Sequence, residues 1–261
     1  MKKKNNFSNK IPKLESSEDS TPSIVGMRLN KYVAHCGICS RRQAGELVKK
    51  GEIVVNEVVE INPAYQVQEG DVIKYKGKII VTETKKVYIL MNKPKDVITT
   101  VKDDRGRKTV MDIVGTKVKE RIYPVGRLDR DTTGLLLLTN DGDLATKLAH
   151  PKHVVKKVYQ VILDKPVKRE DLQKIRNGIE LEEGVAIVDG IDYVKNAGRN
   201  EIGIELHLGW NRVIRRLFEH VGYKVIRLDR TYFAGLTKKD LPRGRFRFLA
   251  DREVIMLKHF I

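Results

Sequence analysis

The chain has 261 residues, enough for one large or two modest domains with apolar cores. It is 41% hydrophobic, and its 51 Lys and Arg against 34 Asp and Glu give a formal net charge of +17. That excess goes beyond what solubility requires and points to a polyanionic partner, nucleic acid ahead of an anionic membrane surface. No apolar run approaches the roughly 20 residues of a spanning helix, and no basic stretch has a Trp- and Phe-rich opposite face, which argues against a membrane protein. With no secretory h-region, a reducing cytoplasm is the expected compartment.

Residues 1–26 are rich in Lys, Asn, Ser and Pro, with too little apolar surface to offset the entropy of ordering, and are expected to form a disordered basic tail. Order begins near Arg28, where Leu29, Tyr32 and Val33 make a short helical face. Cys36 and Cys39 form a Cys-x-x-Cys beside His35, but a structural zinc site needs four ligands and no second pair exists. Small side chains at a helix-helix turn are the expected reading. Ser40-Arg41-Arg42-Gln43 has the form of a capping box opening a second helix, which Gly51 ends. Arg41 and Arg42 lie in its first turn, where the helix dipole disfavours cations. An RNA phosphate at that end would suit them. Ile53-Val54-Val55 and Val72 to Tyr75 read as strands.

A linker around Thr82 to Lys86 leads to the strand Val87 to Met91 and then Asn92-Lys93-Pro94. Gly126-Arg127-Leu128-Asp129-Arg130-Asp131-Thr132-Thr133-Gly134-Leu135 sets opposed charges between turn residues, just ahead of the buried-strand run Leu135 to Leu138. The flanking arginines are expected to keep Asp129 ionised, and an ionised carboxylate is able to act as a nucleophile. On charge alone, a solvated turn with local ion pairs is the simpler reading. Asn140-Asp141-Gly142 turns the chain into a helix that stops at His150-Pro151. Val158, Gln160 and Ile162 alternate with Tyr159 and Val161 as in a strand. Ile214, Leu217, Phe218 and Val221 mark an amphipathic helix ended by Gly222, with Arg212, Arg215 and Arg216 expected on a separate, cationic face. Strands near Val225 to Leu228 and Phe246 to Leu249 complete an α+β pattern without internal repeats.

The stretch Gly-Arg-Leu-Asp-x-x-Thr-x-Gly-Leu resembles the catalytic motif of pseudouridine synthases, in the longer form of the ribosomal-RNA branch often called RsuA/RluB. Asn92-Lys93-Pro94, Lys157-Val158-Tyr159 and Asn211 to Gly222 follow in the family's order. The resemblance implies that Asp129 is the nucleophile, with Asp131 a neighbour, that Tyr159 lies against the target base, and that Arg215 pairs with Asp129. Asp129 could attack the base, attack the sugar, or assist through a detached glycal. Residues 27–80 resemble the small RNA-binding module shared by a small-subunit ribosomal protein and tyrosyl-tRNA synthetases, carried by Arg28-Leu29-Asn30-Lys31, Ser40 to Ala44 and Val54-Val55-Asn56. Glu57 and Asp96 stand where these families usually have glycine.

The implied fold is α+β: a small N-terminal α/β RNA-binding module, then a mixed, mainly antiparallel sheet catalytic domain over residues 86–261. The implied activity is isomerisation of a uridine in ribosomal RNA, free or in an assembling subunit, by a monomer with no cofactor or metal. The target must be splayed or flipped from its stack, at a cost of about a few kcal/mol. Arg28, Lys31, Arg41, Arg42, Arg127, Arg212 and Arg216 are the expected RNA contacts. Asn211-Arg212 looks more like the large-subunit branch. The rival readings are a noncatalytic RNA-binding or ribosome-assembly protein and, more weakly, a tyrosyl-tRNA synthetase fragment, whose nucleotide-binding signatures are not found.

Overall fold

The computed structural model describes residues 24–83 and 85–259, so most of the expected basic tail lies outside the described residues. Contacts divide the chain after Thr84 into two units.

The first unit contains α1 (Leu29–His35), α2 (Arg41–Lys49), β1 (Ile53–Val55), β2 (Val58–Val59), β3 (Ile73–Tyr75) and β4 (Lys78–Ile79). Its antiparallel sheet has the order β2-β1-β3-β4. Leu29, Val33, Ala44, Val48, Ile53 and Ile73 form the core between helices and sheet. The capping box is made: Gln43 N donates to Ser40 Oγ at 3.3 Å and Ser40 N to Gln43 Oε1 at 3.2 Å. Cys36 and Cys39 are half-buried and packed against that core, and burial pushes the Cys36 thiol up to about 12. Asn56 and Glu57 carry φ of +50° and +66° in the two-residue link between β1 and β2. Such a link normally takes Asn-Gly. Glu57 therefore keeps the glycine-type turn, at some steric cost, with its carboxylate paired to Lys74.

The second unit comprises β5 (Tyr88–Lys93), α3 (Val110–Val114), β6 (Tyr123–Pro124), β7 (Thr133–Thr139), α4 (Gly142–Ala149), β8 (Lys157–Leu163), α5 (Arg169–Asn177), β9 (Ile179–Leu181), β10 (Gly184–Ala186), β11 (Gly190–Tyr193), β12 (Glu201–Leu206), α6 (Val213–His220), β13 (Val225–Phe233), β14 (Leu236–Thr237), β15 (Phe246–Phe248) and α7 (Asp251–His259). Its large sheet has the order β11-β12-β8-β13-β7-β5-β15, with β14 on β13 and β6 on β7. Every pairing in it is antiparallel except β13 with β7, so the expected mixed, mainly antiparallel α+β fold is found. All residues of β5 and β7 are buried. Ile89, Met91, Leu136 and Leu138 belong to one core, Leu90, Leu135 and Leu137 to another, as alternation across a sheet covered on both faces requires. Strand β13 outruns the Val225 to Leu228 expected from sequence, because its continuation through Asp229-Arg230 buries two charged residues.

Gly134 makes the β7–β13 pairing possible. It has φ of +105°, and a Cβ there would lie 2.3 Å from the main-chain oxygen of Arg230. The motif's glycine is thus a close-approach residue at the single parallel junction of the sheet. Gly134→Ala should cost about 3 kcal/mol or more, through backbone strain and overpacking together. Urea unfolding measures this, and a loss below about 1 kcal/mol would show that neither strain nor the close approach of the two strands is felt at Gly134.

Candidate active site

The loop from Gly126 to Thr132 is held on its inner side by neutral main-chain contacts. Thr99 Oγ1 donates to Leu128 O at 2.7 Å and accepts from Leu128 N at 3.3 Å, Asp96 N donates to Arg130 O at 2.8 Å, and Thr132 N donates to Asp129 O at 3.1 Å. Asp96 adopts φ of +63°, so the second departure from glycine, like Glu57, preserves the backbone the family sequence implies. Beneath the loop lies Lys93, the last residue of β5, with no exposed surface. Its Nζ donates to Thr132 O at 2.8 Å, Pro94 O at 3.1 Å and Arg130 O at 3.3 Å. Burial pushes this ammonium down to about 8, while Asp131, Asp129 and Asp96 pull in the opposite direction. On the far side, Thr133 Oγ1 donates to Asp229 Oδ1 at 2.8 Å, and Asp229 pairs with Lys238 and with Arg243 at 3.4 Å.

Asp129 and Tyr159 line one cleft, together with Arg127, Lys157, His207, Trp210, Arg212 and Arg230. Tyr159 comes from the middle of β8, buried on the core side. Arg215 approaches from behind. It is a buried residue of α6 whose Nη1 donates to Val225 O at 2.9 Å, tying the helix to β13. Its Nη2 lies 2.8 Å from Asp131 Oδ2 and its Nε 3.9 Å from Asp129 Oδ2. Neither nitrogen is aligned for a hydrogen bond, so the guanidinium bridges the two carboxylates as an ion pair.

Several sequence expectations change here. The arginines flanking Asp129 do not pair with it: Arg130 meets Asp96 at 3.5 Å, and Arg127 is exposed at the cleft. The charge that reaches Asp129 comes from the distant Arg215 instead. Asp131, expected to be a neighbour, is the closer partner of that arginine. The cationic face of α6 is not a solvated face. Arg212 precedes the helix with φ of +48°, Arg215 is buried, and Arg216 holds Glu183 through two hydrogen bonds of 2.8 Å. In the first unit Arg28, Arg41 and Arg42 are exposed and Lys31 is half-buried. Lys93, Lys157 and Arg230 carried no expected role from sequence. Lys93 and Lys157 stand within motifs that carry the resemblance, and Arg230 shows only as a cation interrupting an apolar strand.

An unfolded lysine titrates near 10.4. Between about pH 8 and 10, therefore, the unfolded chain binds a proton that folded Lys93 has lost, and stability rises with pH in that window. Comparing urea unfolding of Lys93→Met and the parent at neutral pH and near pH 9.5 should show the parent gaining up to about 1 kcal/mol per pH unit more than the variant. Parallel curves would place the Lys93 titration elsewhere.

Comparison with known proteins shows the family. The family model described as RNA pseudouridylate synthase matches residues 87–220, and the S4 domain matches residues 27–73. The chain is 42% identical over 234 residues to ribosomal large subunit pseudouridine synthase B of Bacillus subtilis (strain 168), covering 88% of this chain and 95% of that one. It is 36% identical over 233 residues to the dual-specificity RNA pseudouridine synthase RluF of Escherichia coli (strain K12), covering 88% and 78%. A crystal structure of a pseudouridylate synthase shares the fold with a TM-score of 0.63 at 24% identity, covering 88% of this chain and 99% of that one. The chain belongs to the RNA pseudouridine synthase family and carries an S4 domain ahead of its catalytic unit.

Proposed function

We propose that this enzyme isomerises a uridine of large-subunit ribosomal RNA, with Asp129 as nucleophile, Tyr159 against the target base and Arg215 as the partner that orients Asp129. The observation that carries this reading is that the loop ahead of β7 and strand β8 bring one carboxylate and one tyrosine to a single cleft, while a buried arginine of α6 reaches that carboxylate from behind. The large-subunit assignment rests on likeness to the Bacillus subtilis enzyme. Arg215, itself buried, stands 3.9 Å from Asp129 and orients that carboxylate from behind.

RNA contact is assigned to Arg127 and Arg212 at the cleft and to Arg28, Lys31, Arg41 and Arg42 on the S4 unit. Phosphate contacts there help offset the cost of extruding the uridine. Arg216 joins them only if a phosphate replaces Glu183. The active form is proposed as a cytoplasmic monomer with no cofactor. Among the described residues no helix is long and apolar enough to cross a membrane.

Asp129→Asn should abolish pseudouridine formation while the chain stays folded, its melting temperature lowered by no more than about 2 to 4 °C through the lost charge near Lys93 and Arg215, and filter binding of ribosomal RNA stays at the parental value, because the amide keeps the shape and loses the nucleophilic charge. Asp131→Asn removes the nearer partner of Arg215 and should retain turnover, lowered about tenfold, consistent with about 1.4 kcal/mol from one charged contact. Parental turnover of Asp129→Asn would leave the noncatalytic RNA-binding reading in its place.

Deleting residues 1–84 should leave a folded catalytic unit that binds ribosomal RNA more weakly. Its first strand is anchored within the unit, since Asn140 bonds both Lys85 O and Val87 N. Each lost phosphate contact should lower the slope of log K against log salt by roughly 0.7 to 0.9. Equal affinity and equal slope would remove the S4 unit from the binding surface.

A further inference from the structure

One charged side chain inside the cleft has no counter-charge. Arg230 of β13 stands directly opposite Tyr159 of β8 in the antiparallel register and beside Gly134 of β7 in the parallel one. It therefore lies between the tyrosine and the loop that carries Asp129, and it lines the same cleft at 3% exposure. Its Nε donates to Leu135 O at 2.7 Å, and its guanidinium lies over the Phe233 ring, 4.6 Å from the centroid. These contacts fix the group without neutralising it. Among the described residues no carboxylate pairs with Arg230, and its Nη2 has no hydrogen-bond partner. The adjacent Asp229 is taken by Thr133, Lys238 and Arg243.

A second cation shares this wall. Lys157 Nζ donates to His207 O at 2.7 Å and Val155 O at 3.0 Å, both neutral acceptors. Burial pushes Lys157 down to about 8, and the charge of Arg230 pushes it the same way, against a weaker pull from Asp189. Two neighbouring cations, one buried and one half-buried, with no carboxylate in contact are unfavourable, and such arrangements gather where a ligand supplies the missing charge.

We propose that Arg230 is a further catalytic residue, which binds a ring carbonyl oxygen of the flipped uracil and stabilises the negative charge the base carries while detached from the sugar. The proposal rests on the uridine isomerisation read above. When the C1′–N1 bond breaks, its electron pair leaves with N1 and is shared with O2 and O4. That charge is used again when C5 bonds to C1′, after which C5 gives up its proton and N1 takes one up. Arg230 stays protonated throughout and supplies charge, not a proton. Cross-strand neighbours have Cβ atoms about 5 Å apart, so its place opposite the tyrosine assigned to the base favours the uracil over a backbone phosphate.

The test uses the full chain and ribosomal RNA carrying tritium at uridine C5, prepared from cells lacking this gene, with single-turnover tritium release and filter binding as readouts. Arg230→Gln should slow release from bound RNA by about 10²- to 10³-fold, the usual loss for one charge-stabilising donor, with affinity unchanged. Arg230→Lys should keep part of the rate. Added guanidinium should restore Arg230→Ala, whereas urea, its neutral counterpart of the same shape, should not. Rescue by urea as well, or equal losses in the Gln and Lys variants without guanidinium rescue, would make the role one of packing and overturn the proposal. Weaker binding with a shallower salt slope and a normal bound rate would overturn it in favour of a phosphate contact. Activity in Asp129→Asn on the same RNA would instead remove the underlying reading, independently of Arg230.

Discussion

The active-site loop depends on an ammonium group shut inside the protein. Lys93 ends a strand whose every residue is buried, and it collects the carbonyls of Pro94, Arg130 and Thr132 from beneath the turn that presents Asp129. A buried cation held only by neutral acceptors would be expensive, so the nearby Asp129, Asp131 and Asp96 are part of what makes it tolerable. The dependence runs both ways. The carboxylates keep Lys93 charged, and Lys93 fixes the backbone from which two of them project. Such a coupled network favours one arrangement over many, which is what the proposed nucleophile requires.

The large sheet brings the remaining groups to this loop. Covered on both faces, β5 and β7 form a rigid centre, and Gly134 lets β13 approach β7 until backbone touches backbone. That approach puts Asp229 against Thr133 on one side and Arg230 beside the cleft on the other. Helix α6 is tied to the same strand through Arg215 and Val225, so the arginine that reaches Asp129 and Asp131 inherits the rigidity of the sheet. Loss of Arg215 would therefore weaken packing as well as charge, because a buried carbonyl would lose its donor.

Positive charge is distributed unequally in kind. Exposed arginines of the S4 unit and the cleft rim suit a polyanion by long-range attraction, which salt screens. Lys93, Arg215 and Arg230 are buried and Lys157 is half-buried, and they act through direct hydrogen bonds and ion pairs. Both groups count equally toward the +17 net charge, which therefore does not separate them.

Much of this was legible in the residues. Leu135 to Leu138 announced a buried strand, Ser40 to Gln43 a helix start, and the spacing of Ile214, Leu217, Phe218 and Val221 a helix against a core, because local periodicity and capping are short-range properties. The motif around Asp129 marked the family for the same reason: its turn chemistry lies within ten consecutive residues. Pairing of charges was not legible. Sequence proximity favoured Arg127 and Arg130 as partners of Asp129, yet the fold sends Arg130 to Asp96 and brings Arg215 to both aspartates. Likewise, Asp229 and Arg230 broke the apolar pattern of β13 and concealed its length, and Lys93 gave no sign of its burial. Which charges meet, and which are stripped of water, is set by strand order and by a glycine that admits a neighbouring backbone; these are long-range contacts, and electrostatic energy depends on distance and burial in space rather than on separation along the chain.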